Sequence, residues 1–184
     1  VYAGINAGTI YNSNVQEHCK NGTLEEINKF KDNTGYSVNA NLLGKESTYA
    51  GLIAGKNIGT ISYIFVKSDG PKQKGEIKTT NAYTYLGGLV GQNGDANHIG
   101  TIEECANTMS VGNATNTDTA AGIAGTVNGK SSISKCIQYG AVNATTNAGG
   151  IAGIAESTDT TDTTIQFNDC VNLGTLSGDS ASRA

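Results

Sequence analysis

A seven-residue pattern of glycine and small aliphatic residues repeats along this 184-residue chain. The clearest copy is Tyr85–Gly91, and three others share its length and glycine pattern: Tyr49–Gly55, Thr119–Gly125 and Asn147–Gly153. The closing glycines lie at 55, 91, 125 and 153, so the intervals are 36, 34 and 28 residues. A repeat of this period indicates structural units that stack on one another.

The composition favours short β-strands joined by tight turns. The chain has 25 glycines and one proline, and 37% of its residues are hydrophobic, which is too many for a disordered chain. The net charge is −4 and the few basic residues are scattered, which argues against a nucleic-acid-binding face. No apolar run reaches the roughly 18 residues of a membrane span.

Each unit is predicted to hold two or three short strands. The glycine-framed segment is the first, and a second strand carries an apolar residue followed three positions later by a cysteine or Ile64. These second strands are Thr60–Ile64, Thr101–Cys105, Ser132–Cys136 and Gln166–Cys170. The third strands are Glu76–Ile77, Ser110–Val111, Ala141–Val142 and Thr175–Leu176. Short strands with glycines at the corners are typical of a parallel β-solenoid, in which coils repeat about 4.8 Å apart.

We therefore expect an all-β fold, a parallel β-solenoid or β-helix of about five irregular, right-handed coils, in a single domain over residues 1–184. Residues 49–176 form the regular repeats, and 15–48 form an irregular insertion. In that insertion Thr23–Glu26 resembles a helix-capping box and Tyr36–Leu43 alternates like a strand. The chain opens inside a repeat, and 177–184 reads as a linker or a cut end, so we expect truncation at both ends.

Stacked coils predict columns of like side chains. Cys105, Cys136 and Cys170 are expected to form an internal column of thiols that act as small apolar groups, since no CxxC pair indicates a zinc site. Asn107 and Asn172 are expected to form an amide ladder. The repeat glycines are expected to supply corners and close backbone approaches. They are Gly51, Gly55, Gly87, Gly88, Gly91, Gly122, Gly125, Gly149, Gly150 and Gly153.

Candidate metal-binding residues each have a simpler interpretation. His18 and His98 are the only histidines, and we interpret both as solvated loop residues. Glu156, Asp159 and Asp162 are weak calcium candidates in a loop rich in threonine. Their spacing matches neither an EF-hand loop nor the nonapeptide calcium repeat, so an exposed polar loop is favoured.

The sequence also gives little support for a catalytic role. Enzymes built on parallel β-helices need a basic residue or paired carboxylates on one sheet face. The outward carboxylates of the second strands are limited to Glu103, Glu104 and Asp169. We therefore expect no catalytic residue and no cofactor.

Three other surface features are weighed in the same way. Tyr2, Tyr49 and Tyr85 are placed at one repeat position, where an aromatic column could stack against sugars, although packed corner residues are favoured. The Asn-x-Thr triplets at Asn21, Asn113 and Asn143 are attributed to chance in a chain so rich in Asn and Thr. Ice binding would need regular Thr-x-Thr on one face, which the sequence lacks.

The motifs together resemble a known repeat family. The thread Tyr-x-Gly-Gly-[Leu/Ile]-[Val/Ala]-Gly, then Asn, Gly-Thr-Ile and Cys-x-Asn, is similar to the GLUG-type repeats of large bacterial surface proteins. Gly87–Asn93 with Gly100-Thr101-Ile102 is the clearest match. The resemblance covers 49–176 well and 2–15 partly, whereas 16–48 departs from it. Such repeats occur in adhesin-like proteins and beside the catalytic domains of secreted immunoglobulin A peptidases, and they bring no catalytic residues.

The resemblance implies a secreted or cell-surface bacterial protein. We expect a non-catalytic adhesin or stalk module that presents a binding surface to a host protein or glycan. The alternative is an accessory or spacer region of a secreted peptidase or glycoside-active enzyme. The expected partners are such a ligand and the neighbouring repeats or domains of a longer chain, with no nucleic acid and no membrane span in this segment.

Overall fold

A computed structural model describes residues 3–11, 40–42, 49–66, 76–79, 83–115, 117–157 and 164–179. Every regular element in these segments is a β-strand of two to five residues. The search for a helix able to cross a membrane found none in the described segments. The capping-box turn predicted after Thr23 lies outside them, and the strand predicted over Tyr36–Leu43 is described at Ala40–Leu42.

The strands form five sheets in which every pairing is parallel. Sheet A contains β1 (Ala3–Asn6), β5 (Ala54–Asn57), β10 (Val90–Asn93), β15 (Ala124–Asn128) and β20 (Ala152–Glu156). Sheet B contains β2 (Thr9–Tyr11), β6 (Thr60–Ser62), β11 (Thr101–Glu103), β16 (Ser132–Ser134) and β21 (Gln166–Asn168). Sheet C contains β7 (Phe65–Val66), β12 (Ala106–Asn107), β17 (Ile137–Gln138) and β22 (Val171–Asn172).

The remaining two sheets complete each turn of the chain. Sheet D contains β3 (Ala40–Leu42), β8 (Glu76–Thr79), β13 (Ser110–Val111), β18 (Val142–Asn143) and β23 (Leu176–Ser177). Sheet E contains β4 (Tyr49–Gly51), β9 (Tyr83–Gly87), β14 (Thr117–Ala121) and β19 (Asn147–Gly149). The chain visits the sheets in a fixed order, and each visit adds one strand beside the strand of the previous coil. The predicted all-β parallel solenoid is confirmed.

Each complete coil has five strands, whereas the sequence predicted two or three. The glycine-framed segment was expected to be one strand, but it is divided between sheets E and A by a bend at Gly88 and Leu89. At this bend the backbone bonds continue between coils, because Leu89 N donates to Ile123 O at 3.0 Å. The predicted second strand is divided as well, between sheets B and C.

The bend between sheets B and C uses residues with a positive φ angle. Tyr63, Glu104, Lys135 and Asp169 occupy the same place in successive coils, with φ between 51° and 56°. This left-handed conformation costs roughly 1–2 kcal/mol for a residue other than glycine. The cost is offset locally by interstrand bonds: Glu104 N donates to Ser134 O at 3.0 Å and Lys135 N to Asn168 O at 2.8 Å.

The core consists of apolar columns that run from coil to coil. Ile61, Ile102 and Ile133 lie in register in sheet B and are wholly buried. Ile10 and Phe167 continue this column at its two ends. Burial of each isoleucine side chain contributes about 1.5–3 kcal/mol, so the stacked coils hold one another in place.

Candidate binding surface

The three cysteines that the structure describes share one geometry. The Sγ atoms of Cys105, Cys136 and Cys170 lie 3.1, 3.2 and 3.4 Å from the carbonyl oxygen two residues earlier in the chain. All three are free thiols, and Cys105 and Cys136 are buried. Burial, reinforced by the Cys105 thiol, raises the pKa of Cys136 well above its ordinary value. A hydrogen bond with the Cys136 side chain is the larger cause, and burial the second, of a raised pKa at Cys170. Such thiols are poor nucleophiles and metal ligands.

A continuous amide ladder lies at the turn between sheets A and B, where the sequence analysis did not place one. Asn6 Nδ2 donates to Asn57 Oδ1 at 2.8 Å, and Asn57 Nδ2 donates to Asn93 Oδ1 at 2.7 Å. The ladder ends at Val127, which occupies the next position in the column. The sequence does contain a signal for this ladder. In the repeats an Asn recurs between the closing glycine and the Gly-Thr-Ile segment.

The ladder predicted at Asn107 and Asn172 is wrong in its bonding. Asn107 Nδ2 donates to the backbone oxygens of Met109 and Gly122, at 3.2 and 3.1 Å, and Asn107 Oδ1 accepts from Met109 N at 2.9 Å. Asn172 makes the same local bonds with Gly174. The described amides of this column thus bond to backbone groups and not to one another.

The space for these amides comes from the second glycine of the repeat motif. A Cβ added at Gly88 would collide with Asn107 Nδ2, and one added at Gly150 would collide with Asn172. The first complete coil has Leu52 at the glycine position and Val66 at the amide position, and both are buried. In this coil an apolar pair therefore occupies the space that a glycine and an amide occupy in the other coils.

Tyr49 and Tyr85 stack on each other in sheet E. Their ring centroids are 5.3 Å apart and the ring planes differ by 14°. A sugar ring would need to pack against an aromatic face, and stacked rings cover each other's facing sides. The arrangement therefore favours the interpretation of these tyrosines as packed corner residues. Tyr2 is predicted to lie in the same column. Tyr2 itself lies outside the described residues.

The loop after β10 is organised by Asp95. Its Oδ1 accepts hydrogen bonds from Asn97 N and His98 N, both at 2.8 Å, and lies 2.9 Å from His98 Nδ1. Its other oxygen pairs with Lys56 of the preceding coil. Burial would raise the pKa of Asp95, but the bonds from Lys56, Asn97 and His98 outweigh it and hold that pKa well below its usual range. His98 is exposed and fastens the loop through Asp95.

The other candidate carboxylates do not converge. Glu104 Oε1 pairs with Lys135 Nζ at 3.0 Å, and that bond raises the pKa of Lys135. Glu156 is exposed on β20, whereas Asp159 and Asp162 lie outside the described residues, as do His18 and Cys19. Within the segments that are described, no group of three or more His, Cys, Asp or Glu side chains is placed to hold a metal ion.

The outward side of sheet B carries a regular array of polar side chains. Because Ile61, Ile102 and Ile133 point inward, the residues that flank them point outward. The first outward row contains Thr9, Thr60, Thr101, Ser132 and Gln166 in register. The second row contains Glu103, Ser134 and Asn168, whereas Ser62 in the same row is buried. We call the eight side chains other than Ser62 the sheet B face. They are partly or fully exposed.

The comparison with protein families decides what kind of repeat this is. The family model described as the GLUG motif matches residues 82–121. This part of the chain carries a GLUG motif. The matched segment runs from β9 through β14, so the GLUG motif here spans one complete coil and the first strand of the next. Searches of curated proteins and of solved structures found no match.

Proposed function

We propose that this GLUG-type solenoid is a non-catalytic module of an extracellular bacterial protein. It serves as an adhesin or stalk segment that presents the sheet B face to a ligand outside the cell. The observation that carries the proposal is the regularity of that face. Its hydroxyl, amide and carboxylate groups are set about 4.8 Å apart by backbone pairing and by the buried isoleucine column beneath them.

The chemistry of the face favours a polar ligand. Thr60, Thr101 and Ser132 each offer a hydroxyl that both donates and accepts, and Glu103 adds a charged acceptor. A glycan offers matching hydroxyls, and its binding to a rigid array costs little ordering of the protein. A host protein segment with exposed polar groups is the other candidate ligand.

The test compares binding by the wild-type chain and by a face variant. The variant combines Thr101→Val, which keeps the shape and removes the hydroxyl, with Glu103→Gln, which removes the charge. The matched control is Thr146→Ala, because Thr146 is exposed beside sheet E and lies away from the face.

The assays are a glycan array and a host-protein pulldown. We expect the wild type and the control to bind a common ligand, and the face variant to bind it at least about tenfold more weakly. Unchanged thermal unfolding would show that the variant remains folded. If the wild type retains no glycan and no host protein, the adhesin role is wrong.

A further inference from the structure

Three successive coils each place two polar side chains on the sheet B face. In each coil the two residues flank the residue of the core column, so they point outward on the same side of the sheet. In the coil before these three only Thr60 is available, because Ser62 is buried. The pairs, all partly or fully exposed, are Thr101 with Glu103, Ser132 with Ser134, and Gln166 with Asn168.

These six side chains form a grid with two different spacings. Along a strand, the two members of a pair lie two residues apart, which is about 6.6 Å. From coil to coil, equivalent members lie about 4.8 Å apart, because the strands pair in register. The face therefore repeats one pair of polar groups at every coil along the solenoid axis. A ligand that uses all three pairs needs a repeat of its own that matches the coil spacing.

The coil spacing favours a linear polysaccharide over a polypeptide. An extended polypeptide presents side chains to one side only at every second residue, about 6.6 Å apart, so it falls out of register with successive coils. A pyranose ring in an extended chain advances by about one coil spacing and carries hydroxyl groups at both of its edges. The hydroxyl, amide and carboxylate side chains of the three pairs all form hydrogen bonds with hydroxyl groups.

Charge restricts the class of polysaccharide further. Glu103 is the only ionisable residue of the sheet B face. At the border of the face Asp169 is exposed, and Glu104 is paired with Lys135. The face and this border together carry a net negative charge, which disfavours a polymer of acidic sugars and favours a neutral one.

From this match we propose that the ligand of the sheet B face is a linear, neutral polysaccharide that lies along the solenoid axis, with one sugar on each pair. This inference rests on the binding role proposed above, and it adds the class of the ligand and its direction. The direction follows because a polysaccharide laid along a strand would meet only one pair. A chain laid across the coils meets one pair per sugar, so its affinity grows with the number of coils occupied.

The test measures affinity as a function of ligand length. The probes are cellulose-type, chitin-type and xylan-type oligosaccharides of one to about six sugars, with oligosaccharides of mannuronic acid as the acidic series. Titration calorimetry gives each dissociation constant. We expect the affinity for one neutral series to rise at least about threefold with each sugar up to three, and to rise less steeply beyond that. The acidic series is expected to bind at least about tenfold more weakly.

Two variants that remove the same number of polar groups test the direction. Ser132→Ala with Ser134→Ala removes the middle pair and is expected to abolish the steep rise, because no two neighbouring pairs remain. Gln166→Ala with Asn168→Ala removes an outer pair and is expected to end the steep rise at two sugars. The control is Thr175→Ala, which alters an exposed residue beside sheet D and is expected to bind like the wild type. Thermal unfolding verifies that each variant is folded.

The possible outcomes separate this inference from the proposed function. Affinity that is independent of ligand length, or that is unchanged in both folded pair variants, overturns the proposed direction. Stronger binding of the acidic series overturns the neutral ligand. A wild type that binds a host polypeptide but none of the oligosaccharides overturns the polysaccharide and leaves the binding role in place. A wild type that binds neither overturns both proposals.

Discussion

At the scale of single residues, the closing glycine of the repeat is required because two sheets approach closely there. A Cβ added at Gly91 would lie 2.7 Å from Tyr49 C and still closer to Ala50 N, both in sheet E of the preceding coil. A Cβ added at Gly125 would likewise lie 2.9 Å from Leu86 N. Backbone atoms of a paired strand cannot move aside as a flexible side chain can.

Gly91→Ala is therefore expected to destabilise the protein by about 3 kcal/mol or more. The matched control is Gly4→Ala, because Gly4 holds the same repeat position in the first coil and an added Cβ there meets nothing within 4 Å. The control is expected to change stability by less than about 0.5 kcal/mol. Urea unfolding monitored by circular dichroism measures both. Equal stability of the two variants would contradict the explanation that Gly91 is required by the close approach of the two sheets.

Gln138 is the imperfect member of the amide column. Its Nε2 donates to Gly140 O at 2.8 Å and to Met109 O at 3.2 Å, but its buried Oε1 has no hydrogen-bond partner. The equivalent Asn107 and Asn172 each use their oxygen to accept the N–H two residues later. The extra methylene of glutamine carries the oxygen past that position.

Gln138→Asn is expected to stabilise the protein by about 1 kcal/mol. Pairing a buried carbonyl recovers about 1–3 kcal/mol, whereas losing one buried methylene costs about 0.8 kcal/mol. The reverse change, Asn107→Gln, serves as the control and is expected to destabilise by a similar amount. Chemical unfolding of the two variants beside the wild type provides the comparison. A destabilised Gln138→Asn would show that packing volume outweighs the hydrogen bond.

At the scale of elements, the amide ladder joins three successive turns between sheets A and B. Asn57 is wholly buried and uses both ends of its amide. Its oxygen accepts from Asn6 Nδ2 and from Gly59 N, and its nitrogen donates to Asn93 Oδ1 and Thr101 O. A buried amide with four partners fixes the relative position of three coils.

Asn57→Asp keeps the shape but replaces the donor with an acceptor that faces Asn93 Oδ1. At pH 7 the buried charge is expected to destabilise the protein by about 3 kcal/mol or more. At pH 4 protonation restores one donor, so the deficit relative to wild type is expected to shrink. Thermal unfolding at both pH values measures it. A deficit that is independent of pH would mean that the ladder is not the cause.

The repeat pattern predicted the elements better than it predicted their ends. The apolar columns and the equivalent cysteines follow from repeat spacing, because stacked coils place equal positions together. The bend at Glu104 could not be read, because Tyr63, Glu104 and Lys135 are not residue types that signal a positive φ, and only Asp169 in the last coil is. The amide ladder was misplaced because hydrogen bonding depends on side-chain direction, which spacing alone does not give.

At the scale of the whole molecule, burial falls from the middle coils to the last one. Ile133 and Val142 are wholly buried in the fourth strands of sheets B and D, whereas their equivalents Phe167 and Leu176 in the last coil are exposed or partly exposed. Each coil is stabilised mainly by its neighbours, so a coil with one described neighbour opens more readily than a coil with two. The thiol column reports on this difference because its members differ only in their coil.

Alkylation of the native protein should therefore distinguish the cysteines. In a Cys19→Ser background, Cys170 is expected to react with iodoacetamide at least about tenfold faster than Cys136, because only the last coil must open to expose it. Cys105 is expected to be protected like Cys136, since both are buried. Mass spectrometry of peptides gives the three rates, and the guanidinium-unfolded chain, in which all three are expected to react alike, is the control. Equal rates in the native protein would mean that the coils open together and not from the end.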